Sequence, residues 1–219
     1  MSLVSFPTRE FLKRSLLLAV GAAVSPVVLA QRKTPTPGAE YRLITPPQSV
    51  DTAGKIEVLE FFWYACPHCA AIEPVFKEWA KQLPADVLFR KAHVPFNEIK
   101  HQQLFYTLEA MAKTEEYGDK IFTAIHEDKN RMDSLDKITA VLTKAGIDKK
   151  AFTDTWESFS VQTRMRKASS MAATYKIESV PSVVVNGTYL TSPSSAGGNQ
   201  AILQVIDHLI AQERIKAKK

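Results

Sequence analysis

Two cysteines, three positions apart in the segment Cys66-Pro67-His68-Cys69, are the residues of this sequence best suited to chemistry. Such a pair can form a small structural disulfide, ligate a metal, or exchange a disulfide with other thiols. A four-residue loop gives little entropic stabilisation, so a structural disulfide is disfavoured. A metal site needs more ligands than this, and the remaining histidines are scattered without ligand spacing: His93, His101, His126 and His208. Redox exchange is the favoured interpretation, with metal binding as the alternative.

The residues around the pair predict a strand, a short turn and a helix. Residues 55–62 form an almost continuous apolar run, typical of a strand buried on both faces, and residues 67–82 carry apolar side chains at helical spacing. Cys66 therefore falls at a helix start, near unpaired backbone N–H groups and the positive end of the helix dipole. Pro67 suits the first turn, where its missing N–H costs nothing. We expect an exposed, attacking Cys66 and a sheltered, resolving Cys69.

His68 lies between the cysteines and can give the Cys66 thiolate a hydrogen bond or a positive charge. Lowering a thiol pKa from about 8.5 to about 4 needs roughly 6 kcal/mol of preference for the thiolate. A helix dipole supplies at most about 2 kcal/mol, so His68 and the backbone N–H donors would have to carry the rest. Whatever stabilises the thiolate stabilises the dithiol, and the disulfide then becomes an oxidant.

The elements that position this motif come from both ends of the chain. Residues 87–94 read as a second strand, which completes a βαβ unit with a parallel strand pair, and C-x-x-C beside such a unit is a redox signature. Residues 41–44 predict a short edge strand between prolines. Near the end, residues 182–185 and 188–191 predict a hairpin around the turn Asn186-Gly187, followed by a helix over 198–215.

Between these parts, apolar stripes at helical spacing predict a block of helices. One of the helices should begin with Asp133 as its cap and end at Gly146, and another should be capped by Asp148. The chain order predicts an α/β fold, thioredoxin-like, with an inserted all-helical domain. We place the first part of the thioredoxin-like domain at residues 31–96, after a proline-rich segment, the inserted domain at 97–172 and the second part at 173–219.

Residues 1–30 predict a cleavable export signal. Three basic residues precede an uncharged, mostly apolar run over 15–28, which is short for a membrane anchor and contains Pro26. A resemblance to a twin-arginine signal is weak, because the adjacent arginine pair is missing. Removal of these 30 residues, which carry three bases and one acid, from the 219-residue chain of net charge +5 leaves 189 residues and a charge of +3. That mild charge, without a basic stripe, does not favour nucleic-acid binding.

With these motifs in place, the sequence resembles the DsbA family of bacterial periplasmic thiol:disulfide interchange proteins. The matching stretches are Leu59-Glu60-Phe61-Phe62, Cys66-Pro67-His68-Cys69, Lys91-Ala92-His93-Val94 and residues 180–187, which begin Val180-Pro181-Ser182. A low thiol pKa and a strongly oxidising disulfide are known properties of that family, and the resemblance implies them here.

The resemblance also implies roles for residues outside the motif. Pro181 matches the cis-proline that faces the active site, although most Val-Pro bonds are trans, and Val180 would offer its backbone to an extended substrate. Glu60 matches a buried acid that could carry the proton of Cys69, and Lys91 matches its basic partner. A purely structural ion pair is the alternative for both. His93 also matches the family, and we interpret it as structural.

The expected function is a monomeric periplasmic oxidoreductase without a bound cofactor, which donates its Cys66–Cys69 disulfide to newly exported, unfolded polypeptides. The family implies reoxidation by a membrane quinone reductase of the DsbB type. A disulfide isomerase or reductase on the same fold is the nearest alternative, but only about 20 residues separate the predicted signal from the first core strand, too few for an added dimerisation domain. A secreted holdase chaperone is an alternative from a different class.

Overall fold

A computed structural model describes residues 1–2, 34–96 and 98–218. The chain divides into two units, Met1–Lys33 and Thr34–Lys219, and everything below concerns the second. The predicted export signal lies, apart from its first two residues, outside the described residues, and so stays a prediction. Within the described ranges, no helix combines the length and the apolar character needed to cross a membrane.

Five strands and eight helices make up the described part of the second unit. In chain order they are β1 (Tyr41–Leu43), β2 (Ile56–Phe62), α1 (Pro67–Ala80), β3 (Val87–His93), α2 (Ile99–Ala110), α3 (Thr114–His126), α4 (Leu135–Lys144), α5 (Lys149–Trp156), α6 (Phe159–Thr174), β4 (Ser182–Val185), β5 (Tyr189–Thr191), α7 (Pro193–Ala196) and α8 (Ala201–Lys216).

The strands form one mixed sheet in the order β1-β5-β4-β2-β3. β2 and β3 are parallel, as a βαβ unit requires, and β4 pairs antiparallel with β2, with Glu60 opposite Val183. Six of the seven β2 residues are buried, which confirms the expected strand covered on both faces. Because β4 lies beside β2, the C-terminal part of the chain completes the sheet that the βαβ unit begins.

The predicted hairpin turn is present, with Asn186 at φ 47° and Gly187 at φ 63°. Gly187 is also a point of close approach. Its carbonyl accepts a hydrogen bond from Gln48 N–H at 2.9 Å, and a Cβ on Gly187 would lie 2.0 Å from the Gln48 carbonyl oxygen. The turn therefore fixes the segment that leads into β2.

The inserted helices and the sheet meet at the end of β2. One apolar cluster includes Phe62 and Tyr64, continues to Cys66 and Cys69, and extends through side chains of α2 to α6 such as Phe122. Two further clusters cover the faces of the sheet, one of them under α1 and α8. The helical block is thus packed directly around the segment that carries the cysteines.

Local details differ from the sequence-based expectations. Ser134, rather than Asp133, caps α4, because the Ser134 hydroxyl accepts from Lys137 N–H while the Asp133 carboxylate pairs with the Lys137 ammonium at 2.7 Å. The last long helix begins at Ala201 instead of 198, after the unpredicted short helix α7. Helix α7 starts with a capping box between Ser192 and Ser195. Thr45–Pro46 is an unpredicted cis peptide bond, in addition to the expected one at Val180–Pro181.

Candidate active site

Cys66 is the N-terminal cap of α1. Its extended backbone (φ −82°, ψ 117°) places Pro67 in the first turn, as expected, and the Cys66 carbonyl accepts from Ala70 N–H at 3.1 Å. The two cysteines are free thiols. Cys69 has no exposed surface and Cys66 keeps 8%. Cys66 is the more exposed of the two cysteines, as expected. It is nevertheless more buried than predicted, because the Val180 carbonyl oxygen lies 3.5 Å from its sulfur.

The surroundings shift the pKa values of the two thiols in opposite directions. A hydrogen bond from the Cys69 thiol, followed by the backbone N–H groups of Cys69 and His68 and the charge of the His68 ring, outweighs burial and lowers the pKa of Cys66 to about 6. The same thiol–thiol hydrogen bond, together with burial, raises the pKa of Cys69. Cys66 is therefore a thiolate at neutral pH, and a good leaving group from a mixed disulfide, while Cys69 stays protonated.

His68 and the Val180–Pro181 segment border the cysteines, and of these residues Val180 is half-buried and Pro181 is buried. The His68 side chain is exposed, and with Val180 and Pro181 it lines a cavity of about 550 Å³. The Val180–Pro181 peptide bond is cis, as the resemblance implied. The Val180 carbonyl oxygen is thus a backbone acceptor next to the Cys66 sulfur.

A buried glutamate, Glu60, and a half-buried lysine, Lys91, form an ion pair beneath the cysteines. Glu60 is fully buried on β2, Lys91 faces it from the adjacent register position of β3, and their Oε2 and Nζ atoms lie 3.5 Å apart. Neither Glu60 oxygen has a hydrogen-bond partner within the ranges the structure describes. Burial, only partly offset by Lys91, raises the pKa of Glu60 to about 7. Such a carboxyl can accept or donate a proton at neutral pH.

Glu73 is a third member of this charge cluster that the sequence analysis missed. It lies on α1, one turn after Cys69, and its carboxylate is hydrogen-bonded to the Lys91 ammonium. Burial opposes the charge on Lys91, but Glu60 and Glu73 together raise its pKa, so the lysine stays charged between two carboxylates. An acid among the buried α1 positions Cys69, Ile72 and Phe76 was the signal that could have revealed Glu73.

His93 is buried, as a structural role requires. Its Nε2 accepts a hydrogen bond from Tyr64 N–H at 3.1 Å, and burial, followed by repulsion from His101, lowers its pKa well below the ordinary range. His93 is thus a neutral acceptor that holds the turn before Cys66. The other histidines of the described residues do not gather with Cys, Asp or Glu side chains into a group of three or more able to hold a metal.

Comparison with known proteins decides the family. The model of the DSBA-like thioredoxin domain matches residues 77–209. A thiol:disulfide interchange protein DsbA from Pseudomonas aeruginosa is 39% identical over 210 residues, which cover 94% of this chain and all of that protein. One from Bordetella parapertussis is 42% identical over 201 residues, covering 90% of this chain and 96% of that protein. The chain belongs to the DsbA family.

Solved structures of DsbA proteins agree with this assignment. The crystal structure of Pseudomonas aeruginosa DsbA superposes with a TM-score of 0.80 at 40% identity, over 83% of this chain and 96% of that one. The oxidoreductase DsbA1 of Neisseria meningitidis gives a TM-score of 0.74 at 28% identity, over 84% and 96% of the two chains. The thioredoxin-like fold is confirmed, and so is the function of a DsbA-type disulfide oxidoreductase, in preference to an isomerase, a reductase or a holdase.

Proposed function

We propose that this DsbA-family protein works in the periplasm and donates its Cys66–Cys69 disulfide to newly exported, unfolded polypeptides. The observation that carries the proposal is the asymmetry of the pair: a Cys66 thiolate stabilised at a helix N-terminus beside a buried, protonated Cys69. Stabilisation of the reduced form makes the disulfide a strong oxidant.

The exchange has two steps. A substrate thiolate attacks Cys66 of the disulfide, the Cys66–Cys69 bond breaks, and Cys69 leaves as a thiolate that takes up a proton. A second substrate thiolate then attacks the substrate sulfur of the mixed disulfide, and Cys66 leaves as the stabilised thiolate. The substrate loses two electrons to the pair, and Glu60, with its pKa of about 7, supplies the proton that Cys69 takes up.

The substrate is held beside Cys66 as an extended chain. The Val180 carbonyl accepts a hydrogen bond from the substrate backbone, and the cavity beside His68 and Pro181 receives a neighbouring side chain. This mode of recognition is independent of sequence, which suits a catalyst that serves many unfolded polypeptides.

Reoxidation, assembly and export complete the proposal. A membrane quinone reductase of the DsbB type reoxidises the pair, the protein is a monomer without a bound cofactor, and the export signal is cut after Ala30. N-terminal sequencing of the protein released from the periplasm by osmotic shock tests the cleavage, and light scattering during size-exclusion chromatography tests the monomer.

Titration against glutathione buffers tests the direction of electron flow. We expect a midpoint far more oxidising than that of thioredoxin, whose potential is about −270 mV. A midpoint near the thioredoxin value would contradict the oxidase. In a parallel assay of reduced, unfolded ribonuclease, we expect Cys66→Ser to abolish disulfide formation. Disulfide formation at the wild-type rate in that variant would contradict the role of Cys66.

A further inference from the structure

The backbone of Tyr64, two residues before Cys66, is held on both sides by histidine rings. Its N–H donates to His93 Nε2 at 3.1 Å, and its carbonyl oxygen lies 2.8 Å from His126 Nε2. A carbonyl oxygen only accepts hydrogen bonds and a backbone N–H only donates. His126 therefore carries its proton on Nε2, and His93 carries none there.

The bond from His126 falls on the central peptide of the turn that leads into the active site. Cys66 N–H donates to the Trp63 carbonyl at 3.0 Å, so Trp63 to Cys66 form a β-turn and the Tyr64–Ala65 peptide is its centre. Neither Tyr64 nor Ala65 has a positive φ, as expected of a type I turn. Reversal of the central peptide would give a type II turn and force Ala65 into the left-handed region, which alanine disfavours.

His126 reaches this turn from the inserted helical block. It is the last residue of α3, its ring stacks on Phe122 at 6.1 Å with an interplanar angle of 28°, and the Phe122 ring packs on Tyr64 at 5.2 Å. The same helix thus packs on the Tyr64 side chain and bonds its backbone. His93 belongs to β3, so the sheet and the helical block each hydrogen-bond the backbone of Tyr64.

We infer that His126 is a positioning residue for thiol–disulfide exchange: its Nε2–H fixes the turn that keeps Cys66 at the N-terminus of α1, within reach of the backbone N–H groups of His68 and Cys69. The inference rests on the proposed exchange at Cys66. Loosening the turn weakens these contacts to the thiolate but leaves the cysteines themselves unchanged. The consequence is a less acidic Cys66 and a less oxidising disulfide.

Two substitutions separate the hydrogen bond from ring packing. His126→Phe keeps a ring against Phe122 but has no donor, and His126→Gln keeps a donor without the ring. His208→Phe is the matched control, because the His208 ring also lies beside an aromatic ring, that of Tyr41 at 6.4 Å, which belongs to the edge strand β1 and not to the turn after β2. Each variant is checked by circular dichroism and thermal unfolding before its redox properties are measured.

The readouts are the pH dependence of the thiolate ultraviolet absorbance and the equilibrium with glutathione. One lost hydrogen bond changes an equilibrium by about two- to tenfold. We expect His126→Phe to raise the apparent pKa of Cys66. We also expect it to shift the equilibrium with glutathione by the same two- to tenfold toward a less oxidising disulfide, where tenfold corresponds to about 30 mV. His126→Gln should restore most of both values, while His208→Phe should leave both unchanged. Unchanged redox values in a folded His126→Phe variant would overturn the inference.

Nitrogen-15 NMR of the imidazole rings tests the geometry without any substitution. We expect His126 with a proton on Nε2 and His93 as the Nδ1–H tautomer. A His126 found with its only proton on Nδ1 would overturn the inference, whatever the variants show. If instead the tautomers are as expected but the wild-type disulfide is as reducing as thioredoxin, the proposed function fails, and the two histidine hydrogen bonds to the Tyr64 backbone remain supported.

Discussion

The low pKa of Cys66 makes the stability of the reduced protein depend on pH. An ordinary thiol has a pKa of about 8–9. Against a reference value of 9.0 for the unfolded chain, the fold lowers the pKa of Cys66 to about 6. Between these values the unfolded state binds one more proton than the folded state, so the free energy of unfolding rises with pH. This contribution is absent below pH 6, grows across the window and is complete above pH 9.

The size of the effect follows from the shift. Three pH units at 1.36 kcal/mol each set an upper value of about 4 kcal/mol. Cys66 keeps 8% of its surface exposed, and solvent screening there brings the expected gain down to about 2–3 kcal/mol. Replacement of Cys66 by Ser removes the titrating group and so the gain.

Urea unfolding measures this gain in the free energy of unfolding. The reduced protein and Cys66→Ser are unfolded at several pH values from 5 to 9, with reductant present. The difference in unfolding free energy between the two proteins reports on Cys66 and its hydrogen bond with Cys69, because Glu60 and His93 titrate in both. We expect this difference to grow by about 2–3 kcal/mol from pH 6 to pH 9. A difference that stays constant within about 0.5 kcal/mol would refute the account of a thiolate stabilised by the fold.

Three further substitutions test other contacts. Lys91→Met leaves the buried Glu60 carboxylate without its cation and leaves Glu73 with only Lys77, at 3.8 Å. We expect a loss of about 3 kcal/mol at pH 8 and a smaller loss at pH 5, below the pKa of Glu60; urea unfolding that shows equal losses would exclude a charge effect. Glu60→Gln removes a group with a pKa of about 7. The rate of mixed-disulfide formation, followed by stopped-flow fluorescence and divided by the thiolate fraction of the substrate, should then lose its step near pH 7; an unchanged profile would exclude proton transfer by this carboxyl. Gly187→Ala combines a positive φ with a clash against a backbone oxygen and should lower the free energy of unfolding by at least about 2 kcal/mol, measured by thermal unfolding. The control Gly54→Ala has a positive φ but open space, and should cost about 1 kcal/mol. Equal costs would contradict the close approach at Gly187.

Sequence-local signals predicted the parts of the molecule that depend on neighbouring residues. The C-x-x-C pair at a helix start, the buried strand ahead of it and the Asn186-Gly187 turn all follow from short-range chemistry, and the structure contains each of them. Glu60 was recognisable because an acid inside an apolar strand is costly unless it is paired or functional.

Contacts between distant segments could not be predicted in the same way. Glu73 joins the charge cluster and His126 bonds the Tyr64 carbonyl only because the fold brings α1, α3 and β3 together. A glutamate on a helix and a histidine at a helix end have many ordinary roles, so their residue types give no specific signal. The choice of Ser134 over Asp133 as a cap depends on a shift of one residue, which the apolar stripe does not resolve.

The pairing of β4 with β2 has a consequence for the order in which the protein is assembled. Cys66 and Val180, whose sulfur and carbonyl oxygen are 3.5 Å apart, are separated by 114 positions in the chain. Long-range pairings of this kind form slowly, because a long loop must close before any contact repays the lost entropy. During synthesis from the N-terminus, both cysteines and the whole helical block emerge before the strand that borders them. A chain stopped short of residue 180 would carry the full Cys-Pro-His-Cys motif and still lack the surface on which a substrate is to be held.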